Sequence, residues 1–92
     1  AASDVYKRQI TMSDIFNFIQ FNCLKEKIND CIIRANNATP TENPASYSVN
    51  RNVWDADVVK KIIRHFEKNG FKVTTEPTVD EDIYILYFGW EE

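Results

Sequence analysis

The chain has 92 residues, of which 43% are hydrophobic and 27% charged, with a net charge of -3. That length makes one domain with a thin core, and that composition is globular rather than disordered. The small negative charge argues against binding nucleic acid through bulk electrostatics, and no apolar run approaches the roughly 20 residues that span a bilayer.

No signal peptide is visible, and a cytosolic setting is the expectation. Residues 1–9 carry no usable periodicity. The run Asp4, Val5, Tyr6, Lys7, Arg8 and Gln9 resembles translated sequencing-adapter read-through, such as contaminates reading frames from metagenomic assemblies. These residues are set aside as a disordered or artefactual leader, leaving 10–92 as a single domain.

Ile10 to Asn37 reads as a long helix. Thr11 can cap it, with Asp14 three positions on to complete a capping box and Ile10 stapling against Ile15. Phe21, Leu24, Ile28, Cys31, Ile32 and Ala35 keep one apolar face. The first turns differ, since Ile15, Phe16, Phe18, Ile19 and Phe21 surround too much of the circumference for one stripe. A helix of about 25 residues runs about 37 Å, longer than a small sheet covers. Ile15, Phe16, Phe18 and Ile19 are therefore expected to form an oligomer interface that Phe18→Asp should break; the competing reading covers them with the chain's own loops. Cys23 and Cys31 lie eight residues apart on this helix, too far for a disulfide, and read as buried thiols.

Asn36 to Ala45 is a polar, proline-containing loop that joins elements, with mobility an expectation. Ser46 to Asn50 alternates as a short strand with Tyr47 and Val49 on one face. The clearest stretch follows, Asp55 to Val73. Val58, Val59, Ile62, Ile63 and Phe66 recur at helical spacing, Asp55 or Asp57 can cap the start, and Gly70 can end the helix in a left-handed conformation. Phe71, Val73 and Thr75 then alternate as a strand ending before Pro77. After the acidic turn Glu76 to Asp82, Ile83 to Trp90 is the most strand-like run and is apolar on both faces. One helical layer covers one face only, which leaves the other as a subunit contact or ligand floor. The expectation is an α+β fold: a long helix, then strand, helix, strand and strand in a small three-stranded mixed sheet, with a right-handed crossover if the first two strands pair in parallel.

Chemistry is sparse. A single histidine, His65, and only Gly70 and Gly89 leave no nucleophile–base pairing, metal set or phosphate-cradling glycine loop, so neither an enzyme nor a cofactor is expected. The three adjacent acids Asp80, Glu81 and Asp82 read as a solvated hairpin tip. Lys61, Arg64 and Lys68 project together from the central helix, flanked by Lys60 and His65, and such a row can hold phosphates or simply solvate the outer face. Arg51 and Trp54 suit a nucleotide, guanidinium on phosphate and indole on base, although either tryptophan can equally anchor the core. The candidate ligand contacts are Arg51, Trp54, Lys61, Arg64, Tyr84 and Trp90.

From Asp57 to Trp90, the run VVKKIIRHFEKNGFKV, an acidic turn and an alternating strand ending in Trp resemble many small uncharacterised bacteriophage proteins. That resemblance implies an anti-defence role in the host cytosol. A homo-oligomer would sequester a cyclic nucleotide or other anionic immune signal; alternatively, a protein-interaction module would inhibit a host defence protein or serve the virion. It implies no catalytic residues, and no membrane or DNA partner is expected.

Overall fold

The computed structural model describes residues 11–91. The leader and the Ile10 staple lie outside them. The elements in chain order are α1 (Met12–Asn37), β1 (Ala45–Asn50), α2 (Ala56–Lys68), β2 (Lys72–Pro77) and β3 (Ile83–Gly89), an α+β fold of two helices on a three-stranded sheet.

Local signals place both helix starts. Thr11 Oγ1 accepts from the Asp14 N–H at 3.2 Å while the Asp14 carboxylate accepts from the Thr11 N–H at 3.0 Å, the reciprocal pair that the sequence predicts. At α2, Asp55 accepts from the Asp57 N–H at 2.8 Å, and Gly70 closes the helix at φ 93°.

Strand pairing differs from the expectation. The order is β1-β3-β2 and both pairings are antiparallel, so the sheet is not mixed. The strands β1 and β2 do run parallel, but β3 lies between them. Physically, β3 carries the most apolar surface and gains most from the central position, where both edges are hydrogen-bonded. Pro77 also falls inside β2, opposite Tyr84, as an edge strand allows.

The register sorts the sheet into two faces. Ala45, Val49, Leu86 and Phe88 are buried against Leu24, Ile28 and Ile32 of α1 and Val58, Val59, Ile62 and Phe66 of α2. Phe66 sits at the middle of this core, its ring edge-on to Phe88 at 5.1 Å and to Phe71 at 5.7 Å. Neither α1 nor α2 covers the opposite face: Ile83, Ile85 and Tyr87 are half-buried there, flanked by exposed Ser46, Ser48, Thr74 and Glu76.

The loop between α1 and β1 is tied down at both ends. The Glu42 N–H donates to the Ala35 carbonyl at 2.9 Å, and Asn43 clamps the Trp90 backbone, its Nδ2 donating to the carbonyl at 2.7 Å and its Oδ1 accepting from the N–H at 3.2 Å. The thiols also depart from expectation: Cys23 is exposed, and Cys31 is half-buried with its S–H donating to the Ser46 carbonyl at 3.1 Å. Burial pushes the Cys31 thiol above its usual value.

Tyr87 donates its hydroxyl to Glu76 Oε2 at 2.5 Å, which raises the phenol above its ordinary value, while burial first of all raises Tyr47 and Tyr84. Each neutral phenol is thus favoured by the fold. The stability this confers is complete below the ordinary tyrosine value of about 10 and is lost as pH rises through the higher folded values. A tyrosinate absorbance titration should accordingly show late ionisation in the folded protein, and Tyr87→Phe should remove one late-titrating group.

Candidate functional site

The two helices border an open groove lined by charged and aromatic side chains. Where α1 crosses α2, a groove runs in two lobes of about 360 and 340 Å³ that share Phe21 and Lys61. The α1 lobe is lined by Asp14, Asn17, Phe18 and Asn22, the α2 lobe by Arg64, His65 and Lys68. Helical spacing explains the convergence on the α2 side, because Lys61, Arg64, His65 and Lys68 are three, four and seven positions apart and share a flank of the helix. From α1, Phe21 lies half-buried against that flank, its ring edge-on to His65 at 5.9 Å, and the Lys25 ammonium stands 5.7 Å from its centroid.

Electrostatically the α2 lobe is one-signed. Among the described residues no carboxylate lines it, and Lys61, Arg64 and Lys68 form no ion pair with any of them. All three cations are exposed. Salt therefore screens any attraction there.

The six candidate ligand residues separate into four places. Lys61 and Arg64 share the groove. Arg51 and Tyr84 meet at the far end of the sheet, guanidinium 4.6 Å from the ring centroid, in a shallow cleft of about 330 Å³ with Lys60 and Glu76. Arg51 is committed there, its Nε donating to the Glu81 carbonyl at 3.2 Å and its backbone N–H to the Asp82 carbonyl at 2.7 Å, so it fastens the β2–β3 turn to the end of β1. Trp54 packs on the core beside the start of α2, its backbone N–H donating to the Asn50 carbonyl at 3.1 Å. Trp90 packs edge-on to Phe71 at 6.4 Å at the opposite end of the sheet. Asp80, Glu81 and Asp82 form the β2–β3 turn, where Asp80 Oδ1 accepts from the Asp82 N–H at 2.9 Å.

Of the four interface candidates, Ile15, Phe16 and Ile19 lie on the outer side of α1, and Phe18 turns into the groove. All four are exposed, and no α1 residue before Leu24 is buried. Asn17, Phe21 and Asn22 line the groove but are not among the ligand contacts expected from the sequence, because their meeting with α2 depends on how the helices cross.

A larger cleft of about 570 Å³ lies between α1 and β1, lined by Lys27, Asp30, Arg34, Glu42 and Tyr47 among others. Its charges oppose one another, Arg34 already holding Asp30 at 2.9 Å, so it offers an anion little. Among the described residues no group of three His, Cys, Asp or Glu side chains is placed to hold a metal, and no helix is long and apolar enough to cross a membrane. No family model, curated protein or solved structure matches the chain. Fold and groove together describe a small α+β protein with a cationic, aromatic-floored cleft between its two helices.

Proposed function

We propose that this chain is a binding protein that captures an anionic, phosphate-bearing ligand in the α1–α2 groove. One observation carries the reading: Lys61, Arg64 and Lys68, without carboxylate partners among the described residues, border a half-buried aromatic ring that Lys25 approaches from the other helix. Ammonium and guanidinium groups recognise phosphate oxygens through charge-assisted hydrogen bonds, and an aromatic floor offers a base or other planar group a stacking surface. A nucleotide combines both features. Binding without turnover is the role this chemistry supports, and sequestration of a nucleotide immune signal by a phage-type protein is the specific form that the sequence resemblance suggests.

The test is a thermal-shift titration at low salt with inorganic phosphate and with cyclic mono-, di- and trinucleotides, followed by chromatography of the recovered ligand. A ligand at about a hundredfold excess over Kd stabilises by about 2.7 kcal/mol, which in a domain of this size raises Tm by roughly 10–20 °C. The expected result is a concentration-dependent rise with at least one nucleotide, recovered unchanged. No shift with any of them rejects the reading.

A further inference from the structure

The two rims of the sheet are not alike. Hydrogen bonds at both ends of β1 fix which of its backbone groups face β3 and which face out. The Arg51 N–H donates across to the Asp82 carbonyl, while the Ser46 carbonyl accepts from Cys31 and the Asn50 carbonyl from the Val53 and Trp54 N–H groups. Direction alternates along an antiparallel ladder, so Ala45, Tyr47 and Val49 bond to β3, and Ser46, Ser48 and Asn50 turn their N–H and C=O groups to the rim. Among the described residues nothing bonds to the Ser48 N–H and C=O or to the Ser46 and Asn50 N–H groups. On β2 the same alternation turns Val73, Thr75 and Pro77 outward. Pro77 has no N–H, and Lys72 and Glu76 are charged, so that rim is blunted; β1 carries neither device.

We infer that the β1 rim docks an extended segment of another protein, which joins the sheet as a fourth strand in the cleft of about 570 Å³ between α1 and β1. A second copy of this chain does not fit there. α1 stands over β1, and Cys31 reaches the outward Ser46 carbonyl, so the helix overhangs the rim. Neighbouring strands lie about 4.8 Å apart, whereas packed helices need about 8–10 Å. Two β1 strands side by side would force their α1 helices into one another. A segment that carries no helix of its own slides beneath the overhang.

Charge sets the chemistry of that segment. α1 runs antiparallel to β1, with Ala35 bonded to Glu42, Cys31 to Ser46 and Gln20 to Asp55. Of the four charged side chains that line the cleft, Arg34 and Asp30 hold each other at 2.9 Å, which leaves Lys27 level with the middle of β1 and Glu42 at its start. From Lys27 to Ala35 the helix rises about 12 Å, or about four residues of a strand. An antiparallel newcomer lays alternate side chains on the α1 side, opposite Val49, Tyr47 and Ala45. It meets both charges with an acid opposite Val49 and a base opposite Ala45. The partner segment is therefore an acid, three residues and a base, with an apolar side chain midway against half-buried Tyr47.

The probe is the acetylated and amidated peptide Thr-Glu-Thr-Val-Thr-Lys-Thr, titrated into the isotope-labelled full chain and followed by NMR. Saturable shifts at the amides of β1 and of α1 from Lys27 to Arg34 are expected, with slowed hydrogen exchange at Ser48. Methylating the two peptide amides that face Ser48 and Ser46 should weaken binding at least tenfold, and so should Ser48→Pro, whose missing N–H lies on the rim and not in the ladder to β3. Thr75→Pro makes the same change on the β2 rim and should bind as the wild type does. The charge-reversed peptide Thr-Lys-Thr-Val-Thr-Glu-Thr should bind about threefold more weakly, the scale of exposed ion pairs, and Lys27→Glu should narrow that gap. Lys61→Glu with Arg64→Glu should leave the peptide affinity unchanged, which separates this rim from the helical groove. No saturable binding at millimolar peptide overturns the docking site, and undiminished binding of the methylated peptide overturns the added strand. Equal affinity for the two charge patterns overturns the partner's stated chemistry. A concentration-dependent dimer that Ser48→Pro abolishes gives the rim to a second copy and overturns the foreign segment.

Discussion

Phe88→Ala should destabilise the fold by about 3–5 kcal/mol, the largest loss expected from a single truncation here. Phe88 is fully buried in the central strand, opposite Ala45 on one side and Val73 on the other, with its ring on Phe66. Neither Ala45 nor Val73 can fill the space an alanine leaves, and Phe66 loses one of its aromatic neighbours, so the site collapses poorly. Against a total stability of about 5–14 kcal/mol for a chain of this length, that loss is a large fraction. Urea unfolding should show a lower midpoint with an unchanged slope, and Tm should fall by at least roughly 12 °C. Val79→Ala, at a fully exposed turn position, is the matched control and should change stability by less than about 0.5 kcal/mol. A loss below 1 kcal/mol at Phe88 would remove β3 from the centre of the core.

The importance of Phe88 was visible in the sequence only in part. Local signals were legible: Asp55, Gly70 and the spacing of Val58, Val59, Ile62 and Phe66 fix α2 from end to end, because caps and helical period depend on neighbours in the chain. Strand pairing was not, because register is a tertiary property. Yet the apolar character of both faces of Ile83 to Trp90 was the available sign that β3 lies between the other two strands. The same division runs through the groove. Lys61, Arg64 and Lys68 could be grouped by spacing on one helix, whereas Phe21 belongs to the groove only because α1 crosses α2 at that point. Trp54, Trp90 and Arg51 have side chains as fit for packing or tethering as for recognition, and here they pack against the core, against Phe71 and against the β2–β3 turn. Composition cannot separate those uses; the neighbours can.

Reversing the charge of the groove should abolish capture. In Lys61→Glu with Arg64→Glu, two charge-assisted hydrogen bonds of about 1.5–3 kcal/mol each are lost, which weakens anion binding by at least about 100-fold before the added repulsion is counted. Both side chains are exposed and form no ion pair with a described residue, so the unliganded stability should move by less than about 0.5 kcal/mol. The double variant should therefore melt near the wild type without ligand and lose the nucleotide-induced rise in Tm. Arg51→Ala separates the two clefts: because Arg51 is occupied with the Glu81 carbonyl and the Tyr84 ring, it should lower Tm slightly and keep the full ligand-induced shift. Raising salt from low to high concentration should shrink the wild-type shift, since exposed cations are screened within a Debye length of about 10 Å at 0.1 M. The reverse pattern, with the shift lost in Arg51→Ala and retained in the double variant, would move the site from the helical groove to the cleft beside Tyr84, where Lys60 and Arg51 would then have to hold the anion against Glu76.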